Sequence, residues 1–153
     1  ERALSGTAYA ERRAQCDDAA AVVGPLPLAD PAAIAGIDDA VQRRRARHVA
    51  TERGRVRDAA DALTAGDGPA LGRLMLASHA SLRDDFEVSS PALDDTVSRL
   101  MAIPGVLGAR LTGAGFGGCV VALCEQGAVA DPSGPTGAGW LVRPCAGARV
   151  GVV

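Results

Sequence analysis

Leu111-Thr112-Gly113-Ala114-Gly115-Phe116-Gly117-Gly118-Cys119 places four glycines within six residues, and the reading of this stretch decides the fold. A backbone with so few Cβ atoms can enter conformations closed to other residues. The flanks show what that freedom serves. Val106 to Leu111 follows the Pro104-Gly105 break, and Cys119-Val120-Val121-Ala122-Leu123-Cys124 follows the loop. Both are short apolar runs bounded by turn residues, so two strands joined by a glycine loop are predicted. Gly113, Gly115 and Gly118 also satisfy G-x-G-x-x-G, the spacing of a dinucleotide fingerprint. That fingerprint requires a helix after the loop to receive the pyrophosphate. Val120, Val121 and Leu123 read as strand instead, so it is rejected. A loop of this kind can bring N–H groups close to a phosphate or a sugar, or can be only a packed β-turn. Glycine content does not separate the two.

Upstream, the hydrophobic period changes from strand to helix. Ser90 can cap a helix whose first turn holds Pro91, Asp94 and Asp95, with Leu93, Val97, Leu100 and Met101 as its apolar stripe. Leu71, Leu74, Met75, Ser78 and Leu82 mark a helix running into Arg83-Asp84-Asp85. Ile37, Val41, Ala46, Val49, Val56, Ala60 and Leu63 mark a long one, closed by Gly66-Asp67-Gly68-Pro69. A first helix covers about Tyr9 to Val23 and ends at Gly24-Pro25, before a connector punctuated by Pro25, Pro27 and Pro31. Downstream, residues 127–139 read as a loop before a final strand around Trp140 to Arg143. The architecture expected is α+β, with helices packed on one face of a small antiparallel sheet.

The 153 residues suffice for one core, taken as a single unit over 1–153. Apolar residues reach 48%, yet the only aromatics are Tyr9, Phe86, Phe116 and Trp140, so aliphatic side chains on close-packed elements must fill the interior. With 16 basic against 18 acidic residues, the net charge of −2 offers no footprint for nucleic acid or an anionic membrane. Arg43, Arg44 and Arg45 read as the charged face of the long helix, and Asp84, Asp85 and Glu87 as solvated acids in a polar turn. His48 and His79 lack partners at metal-ligand spacing and read as structural, and no metal site is expected. Cys16, Cys119, Cys124 and Cys145 show neither zinc nor disulfide-scaffold spacing and are expected as buried thiols. No lysine occurs, which excludes a phosphate-loop lysine or a Schiff base in this chain. No apolar run approaches the roughly 18 residues of a membrane span and no signal peptide is recognised, so a soluble, cytoplasmic protein is expected. Because the chain opens on Glu1 in a helical approach segment, part of the protein is expected to lie upstream.

Four blocks in one order carry a resemblance. Thr112 to Cys119 resembles the third conserved motif of galactokinases and the wider GHMP kinases. Ser78-His79-Ala80-Ser81-Leu82-Arg83-Asp84-Asp85-Phe86-Glu87-Val88-Ser89, continued by Ser90-Pro91-Ala92-Leu93-Asp94, is similar to the helix end and loop preceding it. Tyr9-Ala10-Glu11-Arg12-Arg13-Ala14-Gln15-Cys16-Asp17 looks like the family's Tyr-x-x-Arg-Arg-x-x-Cys segment, and Arg45-Ala46-Arg47-His48-Val49 through Arg55-Val56 looks like its long helix. Four collinear blocks are far more specific than one glycine loop.

The resemblance implies a ferredoxin-like GHMP kinase C-terminal domain whose N-terminal ATP-binding half is absent. It implies transfer of the γ-phosphoryl group of ATP to the anomeric hydroxyl of galactose, with Mg²⁺. Tyr9 would hydrogen-bond the sugar, and Gly113, Gly115, Phe116, Gly117 and Gly118 would form an active-site loop. The catalytic aspartate and arginine and the phosphate loop belong to N-terminal segments, so no catalytic residue is expected in this chain and it should not act alone. A sister kinase for N-acetylgalactosamine or arabinose stays open, as does a sugar sensor without turnover or a degenerate remnant. One departure stands out: the family places a helix before its last strand, and Asp131-Pro132-Ser133-Gly134-Pro135-Thr136-Gly137 does not suit one. Val142 to Ala148 still resembles the family ending.

Overall fold

The computed structural model describes residues 3–134 and 137–143. Five helices and two strands follow one another: α1 (Ala3–Val23), α2 (Pro31–Ala35), α3 (Ala40–Ala65), α4 (Gly68–Asp84), α5 (Pro91–Met101), β1 (Val106–Thr112) and β2 (Cys119–Cys124).

Each helix boundary has a local cause. Gly24 adopts φ 80° and donates its N–H to Ala20 O, closing α1. Asp39 accepts from Val41 and Gln42 N–H, both at 2.8 Å, so α3 begins at Ala40. Ile37, which the apolar period placed inside that helix, lies ahead of the cap and is 2% exposed. Gly66 ends α3 at φ 68°, and Asp67 at once caps α4 through Ala70 N–H at 2.8 Å. Ser90 caps α5 as expected, accepting from Leu93 N–H at 3.4 Å.

The proline-rich connector is more than a link. It holds a 3-10 turn (Leu26–Leu28) and α2, the latter capped by Asp30 through Ala32 N–H at 2.7 Å. Leu26, Ile34 and Ile37 join Ala19 and Ala46 in a first core, against which Cys16, Val23 and Val49 pack. Ala19 and Ala46 are fully buried, and side chains that small let α1 and α3 approach closely.

The second core lies beneath the sheet. Leu82, Val88, Leu93 and Leu111 form it with Phe86 and Val120, each buried aliphatic side chain contributing about 1.5–3 kcal/mol. β1 and β2 are antiparallel, paired from Val106 with Cys124 to Thr112 with Cys119, with an irregularity between Val106 and Gly108. α4 and α5 pack on β1, and α5 also reaches β2. A Cβ on Gly72 would stand 2.0 Å from Leu107 O, and one on Gly108 would stand 2.3 Å from Gly72 O, so helix and strand meet backbone to backbone there.

The described residues are thus helical with a small two-stranded antiparallel sheet, in keeping with the expected α+β class. The expected strand around Trp140 to Arg143 does not form. Trp140, Leu141 and Val142 are apolar, which is the strand signal, but among the described residues no strand pairs with them and they stand 79%, 64% and 79% exposed. A strand is stable only with a ladder to join. The 144–148 part of the family-like ending, with Cys145, lies outside the described residues. The other thiols divide: Cys16 and Cys124 are half-buried, while Cys119 is exposed, contrary to expectation, because it opens β2 on an outward position beside the glycine loop.

Candidate functional site

The loop between β1 and β2 holds positive φ at Gly113, Gly115, Phe116, Gly117 and Gly118. It is followed by a strand, which removes the dinucleotide reading. Its seat is the turn after α4. A Cβ on Gly115 would come within 2.3 Å of Val88 O and 2.6 Å of Val88 Cβ, and Phe116 N–H donates to Val88 O at 2.7 Å. Phe116 is 36% exposed and holds φ 59°. Its ring lies under the Arg12 guanidinium, 5.7 Å from the centroid.

The turn itself is held by arginines. Phe86 N–H bonds Ser81 O and Val88 N–H bonds Leu82 O, leaving Glu87 at φ 54° and the Asp85, Phe86 and Glu87 carbonyls to be satisfied from elsewhere. Arg12 Nε donates to Phe86 O at 2.8 Å and its Nη2 to Glu87 O at 3.2 Å. Arg45, only 1% exposed, donates Nη1 to Asp85 O at 2.6 Å, Nη2 to Glu87 Oε2 at 2.5 Å and Nε to Gln15 Oε1 at 2.8 Å. Arg44 pairs with Glu87 at 3.0 Å, and Arg47 with Asp85. The hydrogen bond from Arg45, with Arg44 beside it, holds the Glu87 carboxyl below its usual range.

This corrects two expectations. Arg45 is not part of a solvated helix face, and of the three acids Asp85 is half-buried against Arg47, whereas Asp84 and Glu87 stay exposed, Asp84 paired with its neighbour Arg83 and Glu87 with Arg44 and Arg45. The reason is that an arginine can be buried when each nitrogen of its fork finds an acceptor, and the acceptors come from Gln15 on α1 and from a turn some 40 residues away in sequence. Sequence reasoning does not single out Arg12, Gln15, Arg45 and Glu87 as a unit. Their one signal is position, because all lie inside the family-like blocks or at their edges.

Tyr9 is 55% exposed on α1, one turn before Arg12 and on the same helix side. The helix face that carries it therefore adjoins the glycine loop through Arg12. His48 and His79 are structural, as expected. His48 Nδ1 lies 3.0 Å from Ser81 Oγ, and its ring stacks on Phe86 at 4.6 Å. His79 Nδ1 accepts from Leu111 N–H at 3.3 Å, leaving Nε2 3.2 Å from Asp94, close enough for electrostatic attraction but outside hydrogen-bond geometry. Burial lowers the pKa of both histidines, with Asp94 opposing that effect at His79 and Glu52 at His48. Glu52 joins α3, α4 and β1: burial pushes its carboxyl up, but Ser78, Arg55 and Arg110 together hold it below the usual range.

Two concavities lie elsewhere, one between α3 and α4 near Asp61 and Arg73, the other between α2 and α3 near Ile34 and Arg47. Neither is lined by the glycine loop. Among the described residues no group of His, Cys, Asp or Glu could hold a metal ion, and no helix is long and apolar enough to cross a membrane.

Residues 59–131 match the family model described as GHMP kinases C terminal, and with this fold the chain carries a GHMP kinase C-terminal domain. Within that class its relatives are galactokinases. It is 42% identical to Homo sapiens galactokinase over 159 residues, covering 96% of this chain and 41% of that protein. It is 45% identical to the Bos taurus galactokinase, covering 82% of this chain and 33% of the relative. A crystal structure of Lactococcus lactis galactokinase complexed with galactose superposes with a TM-score of 0.75 at 38% identity, over 81% of this chain and 34% of that one. The chain thus spans less than half the length of each.

Proposed function

We propose that this chain, acting as one unit, is the C-terminal part of a galactokinase that moves the γ-phosphoryl group of ATP to the anomeric hydroxyl of galactose. The observation that carries the reading is convergence. The family-like blocks around Tyr9, Arg45, Glu87 and Gly115 are far apart in sequence, yet Arg12, Arg45, Val88 and Phe116 bring them to one surface. The named relatives, one of them complexed with galactose, support the choice of sugar.

In this reading Tyr9 offers its phenol to a sugar hydroxyl, as donor or acceptor. The glycine loop forms a ledge on which sugar and nucleotide can lie close to the backbone. The described residues do not fit a Mg²⁺ site, so the metal, the phosphate-binding loop and the groups that stabilise the transferring phosphoryl are assigned to an N-terminal half. The chain's own part is placement, on which in-line transfer depends.

The test is an ATP-consumption assay of the full-length protein on a panel of sugars, with Tyr9→Phe beside wild type. Galactose should be phosphorylated on its anomeric hydroxyl. Loss of one hydrogen bond, about 0.5–1.5 kcal/mol, should raise the galactose KM roughly two- to twelvefold in Tyr9→Phe. Turnover confined to N-acetylgalactosamine or arabinose would replace the sugar in this reading, and binding without turnover would replace it with a sensor. An unchanged KM would remove Tyr9 from the sugar site.

A further inference from the structure

Arg12 links α1 to the turn after α4 and to the Phe116 side of the glycine loop. Its side chain is 13% exposed. Nε and Nη2 take the carbonyls of Phe86 and Glu87, while Nη1 lies 3.3 Å from Gln15 Oε1 and 3.4 Å from Glu11 Oε1. The same guanidinium lies over the ring of Phe116, whose N–H is tied to Val88 O. Gln15 Oε1 is shared with the buried Arg45, which grips the same turn from the other side. A guanidinium whose three nitrogens all have protein acceptors is fixed in place between the groups it holds.

We propose that Arg12 is a positioning residue: it locks the Phe86–Val88 turn and the Phe116 side of the glycine loop to α1, and so sets the spacing between that loop and Tyr9. Lysine could keep a charge over the ring but could not serve two carbonyls and the ring together, because its donors leave from one point. The functional consequence rests on the kinase reading above, whereas the mechanical one does not.

Two measurements separate them. In the first, amide hydrogen exchange is followed in wild type, Arg12→Lys and Arg12→Ala. The Phe116 amide should exchange about tenfold faster in Arg12→Ala and by an intermediate factor in Arg12→Lys, while amides of α3 change less than about twofold. Uniform acceleration through the protein, or an unchanged Phe116 amide, would overturn the proposal. If Arg12→Ala does not fold, Phe116→Leu removes only the ring contact and should still speed exchange at Gly115 and Gly117; no change there overturns it as well. In the second, steady-state kinetics should show the sugar KM rising as kcat falls, with partial recovery in Arg12→Lys. A fall in active fraction at constant KM would mean that Arg12 merely supports the fold. Inactivity of wild type on every sugar would defeat the kinase reading and leave the exchange result to decide the role of Arg12.

Discussion

Gly113 and Gly115 are alike in backbone angle, with φ of 86° and 80°, but not in surroundings: a Cβ at 113 meets nothing within 4 Å, whereas one at 115 meets Val88. Alanine at either position suffers the strain of a left-handed conformation, about 1–3 kcal/mol. Only at 115 must the loop also rise from its seat, because Val88 is 3% exposed in the second core and its carbonyl cannot retreat. Gly115→Ala should therefore cost about 1–3 kcal/mol more than Gly113→Ala in urea unfolding. Equal costs would show that the loop does not rest on the turn. The presence of a special loop is legible from its glycines, but the seat is not. Nothing in Phe86-Glu87-Val88 announces that its carbonyls will be gripped by Arg12 and Arg45, since helical periodicity assigns a face to an arginine without saying what arrives to cover it. The same limit hides Arg45, which has the sequence neighbours of a solvated residue and the burial of a core one.

Among the elements, helices are the most legible because their signals are local. Ser90, Pro91 and the Leu93 to Met101 stripe define α5 at both ends. The apolar period carries α3 too far at its start, since Ile37 fits the repeat, while Asp39 decides where the backbone first closes helical bonds. The strand expected at Trp140 rests on hydrophobicity alone, and pairing is a tertiary fact. Helix-on-strand contact is likewise invisible: Gly72 looks like a weakness in α4 until Gly108 stands against it. Gly72→Ala raises helix propensity by about 1 kcal/mol. Placed 2.0 Å from Leu107 O, however, its methyl forces α4 off β1. The expected net effect is destabilisation by about 1–3 kcal/mol, read as a lower urea midpoint. A stabilised variant would mean that the two backbones do not meet.

Across the whole molecule, the ionisable groups that tie the elements together begin to lose their contribution at two different points as pH falls. His48 sits between α3 and the turn after α4, and His79 between α4, β1 and α5, so both report on packing that exists only in the folded chain. Burial depresses both, so between the folded values and the ordinary value near 6.5 the unfolded chain binds more protons. Their contribution is complete above about pH 6.5 and is lost as pH falls from there through the folded values. Glu52 and Glu87 are also depressed, but from 4.5, so theirs is complete above that value and disappears only in stronger acid. Urea unfolding from pH 7.5 to 3 should therefore show stability falling in two stages, with the first removed in a His48→Gln, His79→Gln double variant and the second retained. Stability that is level between pH 7.5 and 5 in the parent chain would mean that the two imidazoles are open to water, and that α4 does not bridge the arginine-held turn and the strand leading into the glycine loop.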